Sequence, residues 1–132
     1  MHDDRRGARE DAERAAVEYA ALITEPLDLL VLGIGEDGHT ASLFPGSPAL
    51  AERVRRVVPA VAPTAPNRLT ITPNVIATAR DTLVIAAGAP KAAPVWRALC
   101  VDGPVDECPA RLARDGYWVL DRDAASQLPT EQ

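Results

Sequence analysis

Apolar stretches alternate with turn-forming residues along the chain and predict a series of helices and strands. Apolar positions three and four apart predict a helix over residues 11–23, which Pro26 closes. A near-continuous apolar run over residues 27–34 is typical of a strand buried on both faces of a parallel sheet. Further strands are predicted over residues 54–61, 68–72, 82–87 and 117–120, and further helices from residue 73, over 90–99 and over 121–128.

This order of elements predicts the α/β class, with a layered, mainly parallel sheet flanked by helices. The chain has no internal repeat and no long linker, so residues 1–132 are interpreted as one unit. Folds of this class bind ligands at the carboxyl ends of their strands, which directs attention to the residues that follow each predicted strand.

Composition narrows the classes of partner. Hydrophobic residues make up 47% and charged residues 25% of the sequence, as in ordinary globular proteins. A net charge of -5 argues against nucleic acid and anionic membranes as partners, although a pocket with one or two cations could still hold a small anion. No apolar run reaches the roughly 18 residues of a membrane span, and residues 1–6 resemble no signal peptide, so a cytoplasmic location is expected.

Cysteine and serine offer little chemistry in this sequence. Cys100 and Cys108 are expected to be reduced thiols, and with only two histidines they make no metal-ligand pattern. Ser42 and Ser47 lie outside a G-x-S-x-G turn, so neither is favoured as a nucleophile.

A glycine-rich turn directly follows the predicted strand at residues 27–34. Gly33, Gly35 and Gly38 match G-x-G-x-x-G, the pattern of dinucleotide-binding folds. That pattern requires a long helix after the glycines, and Pro45 would cut such a helix short. The ionisable His39 also stands where dinucleotide folds pack closely, so a dinucleotide site is disfavoured.

Asp37 and His39, two residues apart in this turn, could point into one cleft. Histidine is the side chain best suited to move protons near neutral pH, and a neighbouring carboxylate can fix its tautomer. The alternative is that His39 only fills a polar gap in a loop, and the spacing by itself leaves both open.

Two cations also stand at predicted element boundaries. Arg68 opens a predicted strand, and Lys91 follows a glycine and a proline at a predicted helix start. Such cations can bind phosphate, but most lysines and arginines are merely exposed, and that alternative stays open here.

Four blocks of the sequence resemble the 6-phosphogluconolactonases. The blocks are residues 29–46 (LLVLGIGEDGHTASLFPG), 66–72 (PNRLTIT), 83–92 (LVIAAGAPKA), and 108–112 (CPARL) with 118–125 (WVLDRDAA). The resemblance implies hydrolysis of 6-phosphoglucono-δ-lactone to 6-phosphogluconate without a metal or organic cofactor. It implies that His39 is a general base oriented by Asp37, and that Arg68 and Lys91 hold the phosphate of the substrate. Backbone N–H groups at Gly33, Gly35 and Gly38 would stabilise the oxyanion.

The resemblance begins near residue 15 and corresponds to the C-terminal half of those enzymes. It therefore implies a missing N-terminal half, or self-association through exposed sheet edges, and leaves open a fragment that binds phosphosugars without turnover. The related glucosamine-6-phosphate isomerases place a Glu where this sequence has Phe44. Phenylalanine cannot transfer a proton, which disfavours isomerase activity.

Overall fold

The computed structural model describes residues 4–60 and 68–130, with side chains described from residue 10 onward. Its helices are α1 (Asp4–Ala20), α2 (Pro73–Thr78) and α3 (Ala92–Cys100), and its strands are β1 (Leu29–Leu32), β2 (Val57–Ala60), β3 (Arg68–Ile71), β4 (Asp81–Ala86) and β5 (Tyr117–Leu120). Short 3₁₀ turns lie at Pro48–Ala51, Ala89–Lys91 and Pro109–Ala113.

Three of the strands form a parallel sheet in the order β1-β4-β5. The register places Leu32 beside Val84, and Val84 beside Trp118. The other two strands, β2 and β3, form a separate antiparallel ribbon against which α1 packs. The predicted α/β class with a mainly parallel sheet is confirmed.

The hydrophobic core lies on one face of the parallel sheet. Leu32 and Val84 belong to a cluster with Leu43, Leu50 and residues of β2 and α2. Further along the same face, a second cluster joins the end of β4 to α3. Leu43 of the first cluster lies in the segment that follows the glycine turn. Packing therefore fixes this segment as well as the sheet.

The opposite face of the sheet is apolar and exposed, which contradicts the expectation that β1 is buried on both faces. Its side chains alternate in sequence with the buried ones, and five of them are 48–67% exposed. The described helices pack on the other side, so nothing in the described ranges covers it. We call this surface the bare sheet face; it consists of Leu29, Val31, Leu83, Ile85, Tyr117 and Val119.

The predicted helix over residues 121–128 is wrong. Turns occupy most of this segment. The side chain of Asp121 accepts the backbone N–H of Ala124, and the N–H of Leu128 bonds three residues back to Ala125. An Asp that accepts the N–H three residues on is typical of a helix N-cap. Only the bond from the N–H of Ala125 to the carbonyl of Asp121 has α-helical spacing, however, and the N–H of Ser126 also bonds three residues back, so the segment stays a series of turns in which Ala124 is buried.

Element boundaries differ from the prediction mainly at their ends. The first helix ends at Ala20, and hydrogen bonds of 3₁₀ type continue the chain as far as Ile23 before Pro26 is reached. The predicted strand at 54–61 begins at Val57, and residue 61 lies outside the described residues. In the described ranges we find no helix with both the length and the apolar character needed to cross a membrane.

Two leucines on opposite faces of β1 provide a matched test of this one-sided core. Leu32→Ala removes a buried side chain and should lower the free energy of unfolding by about 2–4 kcal/mol. Leu29→Ala truncates a side chain on the bare sheet face and should change it by less than about 0.5 kcal/mol. Urea unfolding of both variants checks this. An equal loss would show that Leu29 is covered in solution.

Candidate active site

The turn that follows β1 is closed by its own backbone. The N–H of Gly38 donates to the carbonyl of Gly35 over 2.9 Å, and the N–H of Gly35 donates to the carbonyl of His39 over 2.9 Å. Gly38 has a φ of +89°, which a side chain would strain. The hydroxyl of Thr40, which is fully buried, donates to the carbonyl of Gly33 over 2.7 Å. The end of β1 and the turn are thereby fixed to one another.

Asp37 and His39 form a direct pair at the carboxyl end of β1, as their spacing suggested. Oδ1 of Asp37 accepts the backbone N–H of His39 over 3.0 Å and lies 2.5 Å from its Nδ1. A carboxylate on Nδ1 places the proton there, which leaves Nε2 free to accept another. The two side chains are 31% and 44% exposed, so the pair is open to a ligand from solvent.

The pKa of Asp37 lies below its ordinary value. Partial burial acts to raise the pKa, but the backbone N–H and the ring of His39 both stabilise the carboxylate and outweigh it. Asp37 is therefore an anion at neutral pH, as its contact with Nδ1 requires.

Gly35 and Phe44 seat the imidazole ring of His39. A Cβ on Gly35 would lie within 2.9 Å of three atoms of the ring, so only glycine leaves room for His39 at this place. The ring of Phe44 lies 4.5 Å from the imidazole, centroid to centroid, with the planes tilted by 40°. Phe44 is buried, so it restricts the orientation of His39 from a fixed position.

Lys91 reaches the same edge of the sheet from β4. The turn Ala89–Lys91 follows β4, and Nζ of Lys91 donates to the carbonyl of Ile34 over 2.6 Å. Ile34 stands next to Gly35, so the ammonium lies beside the turn that carries His39. Lys91 is also the only lysine in the sequence.

Arg68 begins β3 and is exposed, and no hydrogen bond or ion pair joins its side chain to another described residue. Its strand does contact the site, since Oγ1 of Thr70 accepts the N–H of Ser42 over 3.1 Å. A shared phosphate site for Arg68 and Lys91 stays a prediction.

The oxyanion role of the glycines is also untested, and the turn limits it. The N–H groups of Gly35 and Gly38 are already donated inside the turn. An oxyanion would therefore need the N–H of Gly33, or a rearrangement of the turn on binding.

The remaining candidate groups make local contacts. Oγ of Ser47 accepts the N–H of Ala49 at the start of a 3₁₀ turn. Cys100 is exposed, Cys108 is buried, and both are free thiols. In the part of the chain that the structure describes, no three His, Cys, Asp or Glu side chains gather as metal ligands.

Asp121 lies at the same edge of the sheet, and it was not singled out from the sequence. Its two carboxylate oxygens each lie 3.1 Å from the N–H of Gly88, the residue that opens the turn of Lys91. A carboxylate directly after the last strand of a parallel sheet was the available signal. It was overlooked because residue 121 was assigned to the start of a helix.

Comparisons with known proteins agree with this fold. Residues 1–120 match the family model for glucosamine-6-phosphate isomerases/6-phosphogluconolactonase. The chain is 38% identical to a 6-phosphogluconolactonase of Bos taurus, over 88% of this chain and 50% of that protein. It is also 38% identical to one of Streptomyces coelicolor, over 90% of this chain and 51% of that protein.

A solved structure gives the same relationship. The 6-phosphogluconolactonase of Leishmania guyanensis superimposes with a TM-score of 0.78 at 30% identity, covering 96% of this chain and 57% of that one. The chain therefore belongs to the glucosamine-6-phosphate isomerase/6-phosphogluconolactonase family. It spans about half the length of the curated relatives it matches.

Gly35 and Gly33 form a matched pair for testing the seat of His39. Gly35→Ala should displace the imidazole and break its bond to Asp37, because the new methyl group would occupy the ring's place. Gly33→Ala should leave the pair intact, since a Cβ there meets nothing within 4 Å. The hydrogen-bonded Nδ1–H proton of His39 in NMR spectra reports the outcome. Its survival in Gly35→Ala would contradict this seating.

The Asp37–His39 hydrogen bond should be lost only in strong acid. A carboxyl whose pKa is lowered by folding contributes stability above its unfolded pKa and loses it as the pH falls through the folded value. The bond should therefore largely persist at and above the ordinary value of 3.8, and be lost as the pH falls through the lowered pKa of Asp37 in the folded protein. An NMR titration of the Asp37 carboxyl carbon measures this step, which Asp37→Asn should abolish. A midpoint at or above 3.8 would contradict the assignment.

Proposed function

We propose that this chain contributes the proton-transfer half of a lactonase site that hydrolyses 6-phosphoglucono-δ-lactone to 6-phosphogluconate. The observation that carries the proposal is the Asp37–His39 pair, joined over 2.5 Å in a glycine turn at the end of a parallel strand. Membership of the family and the identity to 6-phosphogluconolactonases support it.

The geometry suits general-base hydrolysis. Nε2 of His39 takes a proton from a water molecule as the water oxygen attacks the lactone carbonyl carbon. Asp37 holds the ring in the required tautomer and stabilises the imidazolium that forms. As the tetrahedral intermediate collapses, the bond to the ring oxygen breaks and the proton passes from Nε2 to that oxygen. The product then carries a free hydroxyl and a carboxylic acid, and the acid releases the second proton of the attacking water to solvent to become a carboxylate.

Lys91 is the cation best placed to bind the phosphate of the substrate. Its ammonium has three N–H donors, and the carbonyl of Ile34 accepts one of them. The other donors remain available to a phosphate that lies beside the turn. Arg68 would complete this subsite from β3 by approaching the same phosphate.

We propose further that the site is completed by polypeptide that corresponds to the other half of the relatives. The chain is the C-terminal portion of the family domain in this proposal. The exposed apolar face supports it, because parallel sheets are normally covered on both faces. The alternative is self-association, in which a second copy of the chain covers the same surface.

A fragment that binds phosphosugars without turnover is the second candidate function, because it requires Lys91 but not a complete lactone pocket. Isomerase activity on an amino sugar is less compatible with the site. Phe44 is buried against His39, where the isomerases are expected to have an acid.

The test is an assay of lactone hydrolysis, with spontaneous hydrolysis subtracted. The 132-residue chain would be assayed alone and after co-expression with the part of the Streptomyces coelicolor relative that it does not match. His39→Ala should lower turnover by roughly 10²–10⁴-fold, the usual contribution of a positioned base. His2→Ala, which removes the only other histidine, should have no effect.

The outcomes separate the two candidate functions. Turnover that His39→Ala leaves near the wild-type rate would exclude His39 as the base. Binding of 6-phosphogluconate with no turnover in either assembly would favour the non-catalytic candidate. Turnover by the chain alone would show that the other half is not required for chemistry.

A further inference from the structure

Three neighbouring strands each carry one group to the same edge of the sheet. The strand order β1-β4-β5 puts the turn of His39, the turn of Lys91 and Asp121 side by side. Hydrogen bonds connect them in sequence, from Asp121 to Gly88 and from Lys91 to Ile34. The network therefore runs across the whole edge and ends beside the His39 turn.

We propose that Asp121 is a positioning residue that aims the Lys91 ammonium at the proposed phosphate subsite through the Gly88 turn. The inference deepens the proposed function and rests on it for the ligand, but not for the hydrogen bonds themselves. Asp121 does not touch the substrate in this scheme; it acts through the backbone of another turn.

Gly88 is the connection between the two side chains. It has a φ of +99°, a conformation that side-chain-bearing residues rarely adopt. Its N–H points to both oxygens of Asp121, while its carbonyl accepts the N–H of Lys91 over 3.1 Å. The carboxylate thus fixes the backbone at Gly88, where the turn begins. This turn then fixes the position of the Lys91 Cα, from which its side chain extends.

Asp121 is itself held in place. The N–H of Ala124 donates to its Oδ1 over 2.8 Å, and the backbone N–H of Asp121 faces the carbonyl of Ala86 at 3.4 Å. The N–H groups of Ala124 and Gly88 lower the pKa of Asp121, so the group is an anion wherever the proposed reaction would run. Because the side chain is exposed, its loss should affect the turn more than the stability of the whole fold.

The single lysine makes this inference directly measurable. Acetylation of the Lys91 amine, followed peptide by peptide in a mass spectrometer, reports how firmly Nζ is held by the carbonyl of Ile34. Asp121→Ala should raise the labelling rate by about fivefold, the ratio expected for the loss of one ordinary hydrogen bond. Asp121→Asn keeps an acceptor oxygen for Gly88 and should fall between Asp121→Ala and the wild type.

Two controls distinguish a change in the position of the Lys91 ammonium from a general loosening of the fold. Asp123→Ala removes an exposed carboxylate two residues away, whose side chain makes no hydrogen bond with any described residue, and should leave labelling unchanged. Alkylation of the buried Cys108 reports opening of the core near the same edge. Equal labelling in Asp121→Ala and Asp123→Ala, or a parallel rise at Cys108, would overturn the proposal.

Binding of 6-phosphogluconate and of inorganic phosphate, measured by calorimetry on the same variants, tests the link to the ligand. Where the wild type binds, Asp121→Ala should weaken binding by about fivefold while Asp123→Ala does not. Faster labelling with unchanged affinity would overturn the role of Asp121 in the subsite. Binding that also persists in Lys91→Met would instead contradict the proposed phosphate role of Lys91, and the labelling result would still decide the position of its amine.

Discussion

Parallel pairing of β1, β4 and β5 determines where chemistry can occur in this protein. Parallel strands place all their carboxyl ends at one edge, and the residues just after each end must turn there. His39, Lys91 and Asp121 come from three separate parts of the sequence, yet each lies just beyond one of these ends. A shift of register between β1 and β4 would separate Lys91 from the carbonyl of Ile34, and one between β4 and β5 would separate Asp121 from Gly88. The site therefore depends on the sheet more than on any single contact.

The one-sided core imposes a second constraint. Leu32 and Val84 are buried, whereas their sequence neighbours Val31 and Ile85 stand on the bare sheet face. Contiguous apolar surface of this kind is uncommon on monomeric proteins and usually marks a surface of interaction. The site residues sit at the end of these same strands. A layer that covered the bare sheet face would therefore reach the edge at which these residues lie.

Local patterns in the sequence predicted most of the elements and singled out the main pair. The apolar run before Gly33 predicted β1, and the spacing of Asp37 and His39 allowed the contact that the structure shows, because both depend on residues close in sequence. The exposure of Leu29 could not be predicted, since a strand buried on both faces and a strand with one exposed apolar face have the same apolar pattern. Asp121 was missed because residue 121 was assigned to the start of a helix, and its contact with Gly88, 33 positions away, is one that no local pattern reveals.

The glycines of the turn are required for different structural reasons, which their spacing in the sequence does not reveal. Gly38 is required by its positive φ, whereas Gly35 is required by the imidazole that lies against it. Gly33 has neither constraint, although its carbonyl receives the hydroxyl of Thr40. The G-x-G-x-x-G pattern is thus used here to seat a histidine and not to approach a pyrophosphate. Two of its N–H groups are donated within the turn, so in the proposed reaction the motif would act mainly by holding the His39 ring in place.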